Sequence, residues 1–325
     1  MLHKKKIKNH YPILVSLVFF IYVSATAFIL IFSASIGSVL ASEKNLIGSL
    51  PYVTTLDVQE DFVKIDVDNN RIYYGPLVLV NNYYSCKFDG EELQVVLENR
   101  SSQKYGAADY NVRVNKVVME NLDKMLSDFY DVTGKKNLYV VSGYRSKTLQ
   151  AELYSEDAAK KAEDDKDSAR EELVAIPGYS EHQTGYAVDF SVIEKDGTMR
   201  ELDNEGEYAW ILNNCTKYGF ILRYPKDKVE KTQIGYETWH YRYVGVPHAA
   251  YIMQNKLCLE EYIELLKKHT LSNPLHMADG SSANWTVYYV PAQSGDKTSM
   301  RVPRASEYQI CGNNCDGFIV AVKTV

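Results

Sequence analysis

The stretch Ser180-Glu-His-Gln-Thr-Gly-Tyr-Ala-Val-Asp189 decides the fold and the chemistry of this chain. It places His182 and Asp189 on either side of a bend at Gly185, and Glu237-Thr-Trp-His240 later adds a second carboxylate and a second imidazole. A catalytic zinc site needs three protein ligands, one open position for water and a carboxylate base. A lone histidine is more often a hydrogen-bonded structural residue, so the prediction of a zinc site depends on the complete set.

The offset between Glu237 and His240 predicts an irregular backbone at this point. Residues three apart share a face on a helical turn but point to opposite faces of a regular strand. The segment that starts at His240 and ends at Val244 has a composition typical of a strand. We therefore expect a bulge or a turn that brings both side chains to one site. Three other histidines lie outside the cluster and are predicted to be packing or surface residues: His248, His269 and His276.

Arg145 is a further candidate for chemistry. It lies in Ser142-Gly-Tyr-Arg-Ser146, a turn that follows the short apolar run at 138–141. Arginine can donate paired hydrogen bonds to a peptide carboxylate or to the oxyanion of a tetrahedral intermediate. The residues alone leave a structural salt bridge as an equal alternative.

The charge argues against a nucleic-acid-binding protein, and the cysteine content argues against a zinc site built from cysteine thiolates. The net charge of the 325 residues is −6, but four lysines and no acid lie in residues 1–40, so the rest of the chain is more acidic still. An acidic body argues against nucleic acid as a partner, because phosphate binding needs a basic patch. The five cysteines include no CxxC pair, which argues against a thiolate zinc site. A bridge between Cys311 and Cys315 is left open.

Residues 11–40 contain no charged side chain and predict a transmembrane anchor. A helix of about 20 residues spans the hydrocarbon core. The lysines before this run and Glu43 after it favour a cytoplasmic N-terminus and an extracytoplasmic body. The alternative is a cleaved signal peptide, for which Val39-Leu40-Ala41 could serve as the cleavage site. We expect a single-pass protein of the cell membrane.

The remaining pattern predicts an α+β fold, in which a small antiparallel sheet flanked by helices holds the zinc site. Strands are expected at the end of 71–80 and at 138–141, 187–193, 220–225 and 240–244, with a hairpin turn at Asp196-Gly197. Helices are expected in 111–130, 148–176, 208–218 and 249–268, the first ending at Gly134. Two β-type runs, 285–290 and 317–322, predict a small C-terminal β appendage.

These elements divide the chain into five predicted parts. They are a cytoplasmic tail at 1–10, the anchor at 11–40, a stalk at 41–65, a catalytic domain at 66–274 and the β appendage at 275–325.

Four blocks in this order resemble the zinc D-alanyl-D-alanine carboxypeptidases of the VanY type, whose relatives include L,D-carboxypeptidases and D,D-dipeptidases of the cell wall. The blocks are Ser142-Gly-Tyr-Arg-Ser146, Pro177-Gly-Tyr-Ser-Glu-His-Gln-Thr-Gly-Tyr-Ala-Val-Asp189, Tyr218-Gly-Phe-Ile-Leu-Arg-Tyr-Pro225 and Glu237-Thr-Trp-His-Tyr-Arg-Tyr-Val-Gly245. The resemblance covers roughly residues 66–270 and does not include the predicted anchor.

The resemblance implies a role for each matching position. The Zn²⁺ ligands would be His182, Asp189 and His240, with Glu237 as the catalytic base. Arg145 would steady the intermediate or the substrate carboxylate, and two residues would lie near the substrate, Ser180 and Gln150.

Two positions depart from the family pattern. Thr238 stands where the family usually has proline, which bears on local rigidity. The segment Lys231-Thr-Gln-Ile-Gly-Tyr236 differs slightly from the usual Thr-Gly-Tyr, which bears on substrate preference.

The implied activity is hydrolysis of the terminal D-Ala from peptidoglycan stem peptides or their precursors. The alternatives are an L,D-carboxypeptidase, a D,D-dipeptidase or an endopeptidase on the same site, and a wall-binding module without activity.

Overall fold

The computed structural model describes residues 57–59, 62–163, 174–278 and 283–324, and it confirms a mixed α+β fold. The helices are α1 (Val96–Asn99), α2 (Lys116–Thr133), α3 (Lys147–Glu163), α4 (Ala209–Asn214), α5 (Val229–Thr232), α6 (Val246–Gln254) and α7 (Leu259–Leu266). The strands are β1 (Asp57–Gln59), β2 (Phe62–Asp68), β3 (Leu93–Val95), β4 (Gly106–Ala107), β5 (Arg113–Asn115), β6 (Leu138–Ser142), β7 (Ala187–Ile193), β8 (Met199–Glu201), β9 (Phe220–Tyr224), β10 (Glu237–Tyr243), β11 (Leu275–Ala278), β12 (Asn284–Pro291), β13 (Lys297–Pro303), β14 (Tyr308–Gly312) and β15 (Gly317–Thr324).

The central sheet carries two of the three residues predicted to bind the metal, Asp189 and His240. Its strand order is β4-β6-β7-β10-β9, with β8 paired to β7, and all pairs are antiparallel except β4 with β6. The predicted hairpin at Asp196-Gly197 is confirmed, because β7 returns through this turn into β8. Strand β7 is buried on both faces along most of its length, so its polar side chains must find partners inside the protein.

Helix α2 covers one face of this sheet. Its N-cap is Asn115, whose side-chain oxygen accepts a hydrogen bond from the Val117 amide at 2.9 Å. Gly134 ends the helix in the left-handed conformation, as predicted. The helix starts at Lys116 instead of in the predicted region near residue 111, because residues 113–115 pair with β3 as strand β5.

The run Leu77-Val-Leu-Val80 is buried as expected, but the predicted strand is wrong. Side chains satisfy its backbone carbonyls in place of a neighbouring strand. Arg242 Nη2 donates to the Pro76 and Val78 carbonyls at 2.9 and 2.8 Å, and Asn314 Nδ2 donates to the Leu79 carbonyl at 2.7 Å. These bonds remove the need for a sheet partner.

Two predicted helices are interrupted. The region 249–268 contains α6 and α7, because Cys258 starts a new helix with a capping interaction: the Glu261 carboxylate accepts its amide at 3.1 Å. The region 208–218 contains α4 between two short 3-10 turns, and Gly219 follows it in the left-handed conformation.

The C-terminal strands pack against the rest of the described chain. Strands β11-β12-β15-β14 form one sheet, and β13 joins β1 and β2 in another. Strand β2 crosses the predicted boundary between residues 65 and 66, and its partner β13 belongs to the predicted appendage. A shared apolar core links the C-terminal sheet to α6 and α7 through Trp285, Ile252 and Ile263. All five cysteines are free, so the bridge Cys311–Cys315 is not formed.

No helix among the described residues is long and apolar enough to cross a membrane. The predicted anchor at 11–40 and the tail before it lie outside the described residues.

Candidate metal centre

A short turn and two adjacent strands deliver the three predicted ligands. His182 lies in the 3-10 turn Glu181–Thr184, which ends at Gly185 with a φ of 78°. This left-handed conformation favours glycine, and a Cβ here would lie 2.9 Å from Leu93 Cδ2. The turn leads into β7, which carries Asp189, and Asp189 is directly opposite His240 on β10. Directly opposite residues on paired strands are neighbours, so the sheet register itself brings these two ligands together.

The three side chains present their donor atoms to one point. His182 Nδ1 is 2.6 Å from the Gly143 carbonyl, which leaves Nε2 facing the site, 3.2 Å from Asp189 Oδ2. His240 faces the site with Nδ1, which is 3.1 Å from Asp189 Oδ1. One donor atom from each of the three residues lies within 4.8 Å of the others, and all three residues are buried.

Glu237 lies beside these ligands at the start of β10. The register between β10 and β9 shifts between Glu237 and Tyr241, so the predicted bulge is confirmed. The bulge turns Glu237 Oε2 to within 3.3 Å of His240 Nδ1. Asn204 Nδ2 donates to the Thr238 carbonyl at 2.7 Å, and this bond holds the segment where the related family usually has proline.

Arg145 reaches the same point from the end of β6. Its Nη2 lies 2.7 Å from both His182 Nε2 and Asp189 Oδ2. Its Nε donates to Ser142 Oγ at 2.9 Å, and its Nη1 donates to Gln150 Oε1 at 3.2 Å. Gln150 therefore contacts Arg145, and the substrate contact assigned to it stays a prediction.

Ser180 is the remaining predicted site residue. It is buried and immediately precedes the turn that carries His182. Its predicted place near the substrate stays a prediction.

The donor set fits a small cation such as zinc. Two imidazole nitrogens and one carboxylate are typical zinc ligands. Within the described residues, Asp189 Oδ1 has no hydrogen-bond donor, although it is fully buried. The Arg145 guanidinium already places positive charge against two of the three ligands. A cation held by all three would satisfy the unpaired oxygen of Asp189, which is otherwise costly to bury.

The protonation of the site follows from burial and neighbouring charges. Burial and the Arg145 guanidinium lower the pKa of His182 to about 4, so His182 is neutral, as a metal ligand must be. Burial would raise the pKa of Asp189, but the imidazoles of His182 and His240 outweigh it and hold that pKa well below its usual range. Burial raises the pKa of Glu237, although His240 opposes the shift. A raised pKa suits a carboxylate that must take up and release a proton.

A cleft of about 500 Å³ opens next to Arg145. It is large enough for several residues of a peptide. Its walls come from the β6 end, helix α3 and the segment before β5, and they include Ser142, Tyr144, Leu149, Leu153, Asp109 and Asn111.

Sequence reasoning missed a buried ionic network behind the centre. Glu181, Arg223 and Arg242 are all fully buried. Both arginines donate to Glu181 Oε1, Arg223 from Nε at 2.8 Å and Arg242 from Nη1 at 2.7 Å. The sequence did contain an indication of this network, because strands buried on both faces rarely carry an unpaired charge. An arginine lies within each of two predicted strands, Phe-Ile-Leu-Arg-Tyr224 and His-Tyr-Arg-Tyr243.

Residues 111–246 match the family model described as VanY, D-alanyl-D-alanine carboxypeptidase. A D-alanyl-D-alanine carboxypeptidase of Enterococcus faecium is 33% identical over 261 residues, which cover 79% of this chain and 78% of that protein. The bifunctional D-Ala-D-Ala dipeptidase and D-Ala-D-Ala carboxypeptidase VanXYC of Enterococcus gallinarum is 32% identical over 194 residues, covering 58% of this chain and 94% of that protein. The crystal structure of the vancomycin resistance D,D-dipeptidase VanXYg, in complex with a D-Ala-D-Ala phosphinate analog, superposes with a TM-score of 0.70 at 31% identity, covering 81% of this chain and 99% of that chain. The chain belongs to the VanY family of D-alanyl-D-alanine carboxypeptidases.

Proposed function

We propose that this protein is a zinc-dependent D,D-carboxypeptidase that removes the terminal D-Ala from peptidoglycan stem peptides. The observation that carries the proposal is the convergence of His182, Asp189 and His240, with the carboxylate of Glu237 3.3 Å from one ligand atom. Membership of the VanY family supports the choice of a D-Ala-D-Ala bond.

The three ligands would hold Zn²⁺ through His182 Nε2, a carboxylate oxygen of Asp189 and His240 Nδ1. Bound zinc supplies a Lewis acid, which lowers the pKa of a coordinated water to about 7 and polarises a carbonyl group. All three side chains are buried, the β7–β10 register pairs Asp189 with His240, and the Gly143 carbonyl fixes His182, so little reorganisation is needed before the reaction.

Glu237 moves the proton. It accepts a proton from the attacking water while the water oxygen bonds to the carbon of the scissile amide. It then donates this proton to the amide nitrogen as the C–N bond breaks, which releases D-Ala and leaves the shortened stem with a new carboxylate. The raised pKa of Glu237, caused by burial, makes it a stronger base for the first of these two transfers.

Arg145 stabilises negative charge on the substrate. Its Nη2 contacts the ligand atoms that zinc would take, and with those atoms on zinc this nitrogen would be available to a substrate oxygen. Contacts with Ser142 and Gln150 keep the guanidinium at the wall of the cleft. There it can bind the terminal carboxylate of the peptide or the oxyanion of the intermediate.

A D,D-dipeptidase is the second candidate, because the structural relative with a TM-score of 0.70 is named a D,D-dipeptidase. The L,D-carboxypeptidase and endopeptidase alternatives use the same site chemistry. A wall-binding module without activity is disfavoured by the complete set of ligands and base.

Product masses separate these alternatives. The zinc-loaded full-length chain in detergent is incubated with a pentapeptide stem, a tetrapeptide stem and free D-Ala-D-Ala, and the products are identified by mass spectrometry. We expect the pentapeptide to lose one alanine and the tetrapeptide to remain intact. Cleavage of D-Ala-D-Ala alone would instead identify a dipeptidase, and loss of D-Ala from the tetrapeptide would identify an L,D-carboxypeptidase. Intact peptides in all three reactions would refute the carboxypeptidase, and a cross-linked stem dimer would then separate an endopeptidase, which cleaves it, from the binding module, which does not.

We further propose that residues 11–40 anchor the protein and that the catalytic domain lies outside the cytoplasm. The charge-free run after four lysines supports this placement. Protease added to intact spheroplasts should digest the body of the protein. A protected body would contradict the orientation, and a mature N-terminus after Ala41 would identify a cleaved signal peptide.

A further inference from the structure

Glu181 lies directly behind the metal centre, next in the chain to His182. It is fully buried, and Arg223 and Arg242 both donate to its Oε1. Two guanidinium groups donate to the same oxygen, at 2.8 and 2.7 Å, which is the environment of a carboxylate acceptor. One oxygen is therefore fixed by two arginines, and the other oxygen is available for a different contact.

The second oxygen, Oε2, faces the rear of the His240 ring. It lies 3.6 Å from His240 Nε2, and neither atom has a hydrogen-bond partner elsewhere in the described parts of the chain. A normal N–H···O bond is about 2.9 Å long, so a shift of roughly 0.5 Å or more would complete it. The opposite nitrogen, Nδ1, is the atom that faces Asp189 and Glu237.

The other contacts of His240 are ring contacts. The rings of His182 and Tyr224 lie 4.9 and 4.8 Å from its ring, measured between centroids. Such contacts fix the plane of the imidazole ring. They would be retained after a 180° flip of the ring, which would direct a carbon atom at the metal in place of Nδ1. On the metal side Nδ1 faces Asp189 and Glu237, and behind the ring Glu181 Oε2 is the acceptor that favours a nitrogen over a carbon at that place.

We propose that Glu181 is a positioning residue, which accepts the Nε2 hydrogen of His240 and so keeps His240 Nδ1 unprotonated and directed at the zinc ion. Metal-binding histidines commonly donate their other ring N–H to a carboxylate, and this bond sets both the tautomer and the orientation of the ring.

The arginines prevent Glu181 from turning away. Arg223 also donates to both oxygens of Glu260, at 2.9 and 2.6 Å, and Arg242 also donates to three backbone carbonyls. The four side chains carry two positive and two negative charges, so the network is neutral as a whole. Charge balance and hydrogen bonds are what make buried charges tolerable, and in this network Glu181 Oε2 is the oxygen still without a partner.

The inference rests on the proposed zinc site, and its test is the zinc dissociation constant of the full-length chain, measured by competition with a chelator. Glu181→Asp keeps the negative charge that both arginines need but withdraws the carboxylate from His240 by one methylene. Glu181→Gln would direct its oxygen to the arginines and its NH₂ group to His240 Nε2, which favours a proton on Nδ1. We expect both variants to bind zinc about 10- to 100-fold more weakly than the wild type.

Glu260→Gln is the matched control. It removes a carboxylate from Arg223, but Arg223 Nε still bonds to Glu181, and Glu260 does not contact His240. We expect zinc affinity within about threefold of the wild type, because the His240 contact is unchanged. Urea unfolding of each variant shows whether the losses of stability are comparable. Proton NMR of the zinc-loaded wild type should show a slowly exchanging His240 Nε2 proton, and Glu181→Asp should lose it.

Two results would overturn the proposal. One is a folded Glu181→Asp variant that binds zinc as tightly as the wild type. The other is a Glu260→Gln variant that weakens zinc as much as the Glu181 variants do, since the effect would then follow from the network and not from His240. A wild-type chain that binds no zinc in the same titration would refute the proposed function as well.

Discussion

Replacing Glu237 by glutamine should stop turnover without releasing zinc. The substitution keeps the size of a side chain that is 4% exposed, so packing around the bulge of β10 is retained. The amide cannot accept the proton of the attacking water. Loss of a positioned acid–base group costs about 10²- to 10⁴-fold in rate. This range corresponds to about 3–5 kcal/mol of activation free energy.

The assay measures D-Ala released from a pentapeptide stem, together with zinc bound per chain. We expect Glu237→Gln to lower kcat with a much smaller change in KM, because the base acts in the transition state. Zinc should remain at one ion per chain, since Glu237 is not one of the three ligands. A zinc-loaded variant that turns over like the wild type would refute the role of Glu237. A variant that folds but loses zinc would show that Glu237 is a ligand instead.

Two further substitutions test the backbone and the pH dependence of stability. Gly185→Ala should lower the free energy of unfolding by about 1–2 kcal/mol because of the left-handed backbone, and by more because the new Cβ would meet Leu93. Gly197→Ala is the control, since Gly197 is also left-handed but has open space around the position of a Cβ. Urea unfolding compares the two variants, and equal losses of stability would contradict the clash. Burial lowers the pKa of His248 to about 3, below the value of about 6.5 in the unfolded chain, so stability is complete above pH 6.5 and falls toward pH 3 by up to about 1.4 kcal/mol per unit. His248→Gln should flatten the dependence of the unfolding free energy on pH between about 6 and 4, whereas an unchanged slope would assign the acid sensitivity to other groups.

The sequence predicted which candidate ligands converge better than it predicted the segments around them. Two imidazoles and two carboxylates indicate a metal site by residue type alone, without coordinates. They are His182, Asp189, Glu237 and His240. The offset between the last two also required an irregular strand, and the register shift in β10 confirms it. The convergence and the bulge were predictable because ligand chemistry and strand periodicity are local properties of the sequence, and the roles of the four residues stay a prediction.

The errors arose where distant side chains decide the structure. An apolar run such as 77–80 has the composition of a strand, and only contacts from Arg242 and Asn314 make a sheet partner unnecessary. Both donors lie more than 150 residues away in the sequence, at separations of 164 and 235 residues. Spacing within a segment carries no information about such contacts.

The role of Glu181 was missed for a related reason. Glu181 is part of the deciding stretch and lies in a turn, but its partners Arg223 and Arg242 lie on two strands that come later in the sequence. A buried charge in an apolar strand indicates that a partner exists, and the fold is needed to identify it.

The central claim is that three ligands of this chain hold one zinc ion that hydrolysis of the stem peptide requires. The most direct measurement is a zinc titration of the metal-free, full-length wild type, with release of D-Ala from a pentapeptide stem as the readout. We predict that the rate rises in proportion to bound zinc and stops rising at one ion per chain, and that His240→Ala shows no such rise. Release of D-Ala by the metal-free chain at the full rate would contradict the account.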